Sequence, residues 1–187
     1  MVCLTLVSLN SNAEAVSAIK AAELACHRID RLVVLKKIDK SFLLKFQKLD
    51  LIELTVGNTT EGKFEITTYQ TAPTVGEPLS LSIVIDENGK VLKHQINEGG
   101  AAGPQYAWTG KDPVTLVETG LHYIIEEQTN NVQLRPFAID FKNIFLTQKK
   151  LNDILVAEII VESNSSTAKL VLTIDLNGKL LSQQVIP

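Results

Sequence analysis

The chain has 187 residues, a net charge of −3, 45% hydrophobic and 21% charged residues. That composition supplies a packed core, excludes the disordered class and suits one or two domains. With a pI near 5.6 and no long basic run, nucleic acid is not an expected partner: the lysines at 36, 37, 40, 45 and 48 are spaced by acids and apolar residues.

Val2–Leu9 is a short apolar stretch, and Ala13-Glu14-Ala15 supplies an Ala-x-Ala pattern. Residues 1–15 therefore read as a candidate signal peptide, although no Lys or Arg precedes Lys20 to form a basic n-region. An ordinary apolar N-terminus fits the same residues. The expected location is periplasmic or secreted, and cytoplasmic if the segment is no signal. No later run reaches the roughly 18 apolar residues of a membrane span, so stable membrane insertion is not expected. Cys3 and Cys26 are too few for a disulfide framework. Cys26 reads as a buried small apolar side chain.

From residue 14 to about 35, Val16, Ile19, Ala22, Cys26, Ile29 and Val33 recur at steps of three and four, the face of an amphipathic helix. Asp39 then reads as the cap of a shorter helix carrying Phe42, Leu43, Phe46 and Leu49. Strands follow at Ile52–Val56 and Phe64–Ile66, with turn signals at Gly57-Asn58 and Glu61-Gly62. Leu79, Leu81, Ile83 and Ile85 alternate with Ser80, Ser82 and Val84. After a turn-rich segment, Asp112-Pro113 caps a second helix whose face is Val114, Val117, Leu121 and Ile124, with Asn130-Asn131 as its stop. Strand-like runs then cover Ala138–Leu146, Ile154–Glu162, Lys169–Asp175 and Lys179–Ile186.

The segment Ile85-Asp86-Glu87-Asn88-Gly89-Lys90-Val91-Leu92 returns as Ile174-Asp175-Leu176-Asn177-Gly178-Lys179-Leu180-Leu181, differing only at Glu87/Leu176 and Val91/Leu180. Each copy joins two alternating runs at an Asn-Gly turn, the signal of a two-residue type I′ hairpin. That turn would set Ile85 opposite Leu92, Ile83 opposite His94 and Leu81 opposite Ile96; in the second copy, Ile174 faces Leu181, Leu172 faces Gln183 and Leu170 faces Val185. The expected class is α+β: two tandem units, each a helix packed on a curled antiparallel sheet of about four strands. Their bounds are 16–98 and 110–187, with 99–109 as the linker.

The helix followed by a meander whose last hairpin spans Ile83–Leu92, and again Leu172–Leu181, resembles the PepSY-type domains of bacterial exported proteins, and more loosely a cystatin-like shape. The helix expected at Asp39–Leu49 departs from the short family pattern, as does Asn before the turn glycine. The resemblance implies a periplasmic or secreted non-catalytic module that modulates a protease or another envelope component.

The chemistry-bearing residues are sparse. His27, His94 and His122 are not at ligand spacing, no Cys or acidic pair completes a metal set, and no nucleophile-elbow, zincin, dinucleotide or P-loop pattern occurs. No catalytic residue, metal or cofactor is therefore assigned. Asp86 does not begin a calcium loop, since Asn97 stands where the twelfth-position glutamate belongs. His94, on an apolar sheet face, and the aromatic pair Tyr106 and Trp108 are the candidate partner-binding residues. Tyr106 and Trp108 serve equally as a plug between the two halves. The function expected is binding of an unidentified protein partner without catalysis. The alternative is carriage of a small apolar ligand in a helix–sheet pocket.

Overall fold

The computed structural model describes residues 15–56, 59–70, 79–97 and 108–187. Residues 1–14 of the candidate signal peptide, the Gly57-Asn58 turn, the linker from Gly99 to Ala107 and Tyr106 within it lie outside the described residues.

Helix α1 (Ala18–Val34) starts at Ser17, whose hydroxyl accepts the Lys20 amide. Its apolar stripe is fully buried at Ile19, Ala22, Cys26 and Ile29. The next helix, α2 (Ser41–Lys45), is only one turn long, and strand β1 (Phe46–Val56) takes over Phe46 and Leu49, which the sequence pattern placed in the helix. Sheet pairing overrides the three-residue spacing here: Leu49 lies between Thr68 and Ile144, with partners on both sides.

Strand β2 (Thr59–Gln70) absorbs Glu61-Gly62, expected as a turn, at a register shift opposite Leu54/Thr55. A glycine in a strand commonly marks such a bulge. Strands β3 (Ser80–Ile85) and β4 (Val91–Asn97) complete the first run. Helix α3 (Pro113–Glu127) follows, with Asp112 accepting the Thr115 amide at 3.0 Å. A 3-10 turn (Val132–Leu134) leads into α4 (Arg135–Ile139), which claims Ala138 and Ile139 from the expected strand. Four strands close the chain: β5 (Phe141–Leu151), β6 (Ile154–Ser163), β7 (Lys169–Ile174) and β8 (Leu180–Ile186).

The class is α+β. Where the sequence suggested a sheet for each half, all eight strands join one antiparallel sheet in the order β4-β3-β2-β1-β5-β6-β7-β8. Helices α1 and α3 lie against each other on one face, over a core that includes Leu49, Ile66, Leu81, Ile83, Ile144, Ile159 and Leu172.

Both repeated hairpins have the expected register away from the turn: Ile83 pairs with His94, Leu81 with Ile96, Leu172 with Gln183 and Leu170 with Val185. At the turn itself the pairing shifts by one, to Ile85–Val91 and Ile174–Leu180. The turn is not type I′, which needs positive φ at both central residues. Only Gly89 (78°) and Gly178 (90°) are left-handed there, and the Gly89 and Gly178 amides bond back to the carbonyls of Asp86 and Asp175. These are type I turns followed by a glycine bulge. The aspartate selects them: Asp86 Oδ1 accepts the Asn88 and Lys90 amides, and Asp175 Oδ1 accepts those of Asn177 and Lys179. Type I′ geometry fits instead at Asn152-Asp153, between β5 and β6, where φ is 49° and 64°.

Each repeated turn is tied to the start of a helix. The Val16 amide donates to the Glu87 carbonyl at 2.8 Å, and the Lys111 amide to the Leu176 carbonyl at 3.0 Å. In both cases the donor immediately precedes the helix cap and the acceptor immediately follows the turn aspartate. Gly110 permits the second contact: its φ is 91°, and a Cβ there would stand 2.8 Å from the Leu176 carbonyl oxygen and 2.7 Å from the Leu176 Cβ. Gly110→Ala is therefore expected to destabilise the protein by about 2 kcal/mol, combining left-handed strain with the clash. Urea denaturation monitored by circular dichroism checks this.

Candidate functional site

Strand β4 is one edge of the sheet, and its side chains at Leu92, His94 and Ile96 lie on the helix-bearing face beside Ile83 and Leu81. The sequence pattern places His94 on that apolar face, opposite Ile83. It is exposed, because the helix pair covers the inner strands and stops short of the edge: Leu92 is 47% and Ile96 40% exposed, while Leu81, Ile83 and Ile85 are fully buried. Between α2 and the edge runs a groove of about 240 Å³ with an apolar lining of Ile38, Phe42, Leu79, Leu81 and Ile96, joined by Lys37, Asp39 and Ser41. The opposite edge, β8, places Leu181, Gln183 and Val185 at the corresponding positions. There Gln183 is half-buried and accepts the Tyr123 hydroxyl at 2.6 Å.

Trp108 packs against the core, and its indole N–H donates to the Lys111 carbonyl at 2.6 Å. Beside it, the Gln148 amide group bridges to the Thr109 carbonyl at 2.6 Å. The indole is thus half-buried at the entry to α3, braced against the segment that carries the Gly110 contact.

The structure also brings together residues that sequence reasoning did not. Glu23 and His122 meet at 3.0 Å across the α1–α3 seam, and His27 and Glu118 meet at 3.3 Å. Each helix carries Glu-x-x-x-His at the same distance from its cap, Ser17 or Asp112, so antiparallel packing pairs the Glu of one helix with the His of the other. That shared spacing was visible in the sequence. Each histidine taken alone carries no such signal. The Glu23 side chain is 3% exposed and is also bound by Lys20. Burial by itself would raise the Glu23 carboxyl, but hydrogen bonds from Lys20 and His122 outweigh it and hold the carboxyl below the usual range. Neighbouring Cys26 is a free, fully buried thiol pushed far up by that burial, an environment that suppresses nucleophilic chemistry. Among the described residues, no three His, Cys, Asp or Glu side chains are placed to hold a metal ion.

Asp30, further along α1, is pushed up to about 6, mainly by burial and then by the charges of Asp112 and Glu118, with His27 opposing. No helix among the described residues is long and apolar enough to cross a membrane.

No family model and no curated protein matches the chain. Among solved structures, a protein described as a lipoprotein candidate of Clostridium difficile 630 matches over 84% of this chain and 91% of its own, with 16% identity and a TM-score of 0.31. Likeness at that level carries no inference about this chain.

Because Asp30 binds its proton more tightly folded than unfolded, its contribution to stability is complete below about 3.8 and is lost as pH rises through about 6. The protein is expected to gain stability on going from pH 7.5 to 5. Asp30→Asn should be more stable than the wild type at pH 7.5, by on the order of 1 kcal/mol after solvent screening, and should show a flatter pH response. Urea titrations of both proteins at the two pH values test this.

Proposed function

We propose that the chain is an exported, non-catalytic binding module of PepSY-like character, built from tandem units at 16–98 and 110–187, that receives an extended segment of a partner protein at the β4 edge. The observation that carries this reading is the exposed strip Leu92–His94–Ile96 on the helix-side face of an edge strand. An edge offers unpaired main-chain groups for an added strand, and alternate side chains on one face supply the specificity. His94 sits at the middle of that strip with an apolar neighbour on either side. Tyr106 and Trp108 are the further candidate contacts, close in sequence to each other at the entry to the second unit.

The duplication is supported by three correspondences: the two Asp-x-Asn-Gly-Lys turns, the two turn-to-helix hydrogen bonds, and the two Glu-x-x-x-His helices. Export is supported by the apolar stretch and Ala-x-Ala pattern ahead of Val16.

The carrier alternative draws on the apolar lining of the α2–β4 groove. At about 240 Å³ and open to solvent, that groove is smaller than the ~300 Å³ lower range of small-molecule sites. A wider depression of about 480 Å³ near the start of α1 is lined in part by Ser17, Lys20 and Gln128, which suit an apolar cargo poorly. Size and lining therefore favour the partner strand.

A photo-crosslinking amino acid at position 94, expressed in the native host, is expected to give one discrete protein adduct. Leu92→Lys combined with Ile96→Lys should abolish it, and the same crosslinker at exposed position 126 on α3 should not yield it. Absence of an adduct at 94, or equal adducts at 94 and 126, overturns the reading. A carrier would instead retain an apolar molecule, seen as a mass increment in native mass spectrometry.

A further inference from the structure

We infer that the β8 edge is a self-association site, at which a second copy of this chain pairs antiparallel and in register about Gln183. Three observations lead to it. First, β8 ends the sheet: it pairs with β7 on one side, and no described strand lies on the other. Second, its seven residues, Leu180-Leu181-Ser182-Gln183-Gln184-Val185-Ile186, include no charged side chain. Proteins ordinarily guard a long free edge with charge, above all lysine, or with a bulge that twists it away. Both edges carry the bulge next to the turn, but the β4 edge adds Lys93 at its third position, whereas β8 has no charge. Third, Leu181, Val185 and Ile186 are 48%, 39% and 40% exposed, a large apolar share for a seven-residue strand.

The sequence of β8 identifies the occupant. Its polarity pattern is a palindrome: two apolar residues, three polar, two apolar. Antiparallel pairing of two copies centred on Gln183 sets Leu181 opposite Val185 of the second copy, and Gln183 opposite Gln183 of the second copy, all on the helix-bearing face. On the other face, Ser182 meets Gln184; Leu180, beyond the bulge at Leu181, pairs with Ile174 and packs on the core. Every cross-strand pair is apolar with apolar or polar with polar, the matching that stabilises neighbouring strands. The same operation applied to β4, centred on His94, matches Leu92 with Ile96 but brings Lys93 and His94 into the seam and sets Val91 against Asn97. The Tyr123 hydroxyl already holds the Gln183 carbonyl oxygen, so the carboxamide is fixed in orientation while its N–H groups remain for the facing amide.

The two-fold axis stands perpendicular to the sheet. It therefore keeps the helices of both copies on one side and is isologous, closing at two copies through this edge. The inference does not depend on the partner assigned to β4, since the two edges lie at opposite ends of the sheet.

A charge-swap experiment on the full chain tests it. Ser182 and Gln184 are exposed and face each other across the proposed interface, so changes there spare the core. Sedimentation velocity should show the wild type as a dimer at tens of micromolar, the range of a small interface. Ser182→Lys with Gln184→Lys should weaken dimerisation at least tenfold, as should Ser182→Glu with Gln184→Glu. Mixing the two variants should restore a 1:1 heterodimer. A monomeric wild type, a dimer insensitive to either double variant, or a failure of the mixture to pair would each overturn the proposal.

Discussion

The pairing of β1 with β5 is the narrowest joint in the sheet, and the placement of both helices depends on it. Only Lys48–Phe145, Leu49–Ile144 and Asp50–Asn143 are in register there, whereas β1–β2 and β5–β6 are paired along most of their lengths. A joint that short gains about 1 kcal/mol net from each of a few hydrogen bonds, too little to hold two half-sheets together. Burial supplies the rest. Leu49 and Ile144 are fully covered, and α1 on that face buries Ala21, Ala22 and Ala25 completely. Side chains of that size let helices approach closely, and each large apolar side chain buried beneath contributes about 1.5–3 kcal/mol. Gly120 does the same for α3, where a Cβ would come within 3.1 Å of Ile159 on β6. On the uncovered face, the Lys48 ammonium lies 5.1 Å above the Phe145 ring and 2.9 Å from Asp50, shielding the joint from the other side.

The long elements were legible because their signals are local and repeated. Asp112-Pro113 starts α3 where capping chemistry requires, and Val114, Val117, Leu121 and Ile124 are all fully buried. The inner hairpin register was legible too, since the bulge beside each turn restores the pairing that a two-residue turn would set. The misread elements are those decided by distant partners. Phe46 and Leu49 keep a helical spacing, yet strands on both sides of β1 outweigh it. Ala138 and Ile139 read as strand, but Pro136 suits a helix start, and Phe137 and Ala138 are buried in that helical turn. Asn-Gly alone favours a type I′ turn, but the carboxylate of the aspartate two residues earlier reorganises the loop.

The candidate site was less legible than the fold. His94 was placed on the correct strand and face, but its exposure depends on how far two helices reach across eight strands, a property of no single segment. The polar seam between the helices was present in plain sight as two equally placed Glu-x-x-x-His motifs. Recognising it requires the knowledge that α1 and α3 run antiparallel in contact, which only the assembled sheet provides. Asp30 takes its elevated proton affinity mainly from burial and then from the charges of Asp112 and Glu118, so its chemistry too belongs to the tertiary structure.

The bond from the Val16 amide to the Glu87 carbonyl has a bearing on how the chain is made. Residue 16 is synthesised before its acceptor, which sits in the turn of the last hairpin of the first run. Helix α1 consequently has neither its anchor nor its sheet until that hairpin exists, and the apolar stripe of α1 must wait uncovered during synthesis. Such delayed closure slows folding and exposes the nascent chain to chaperones.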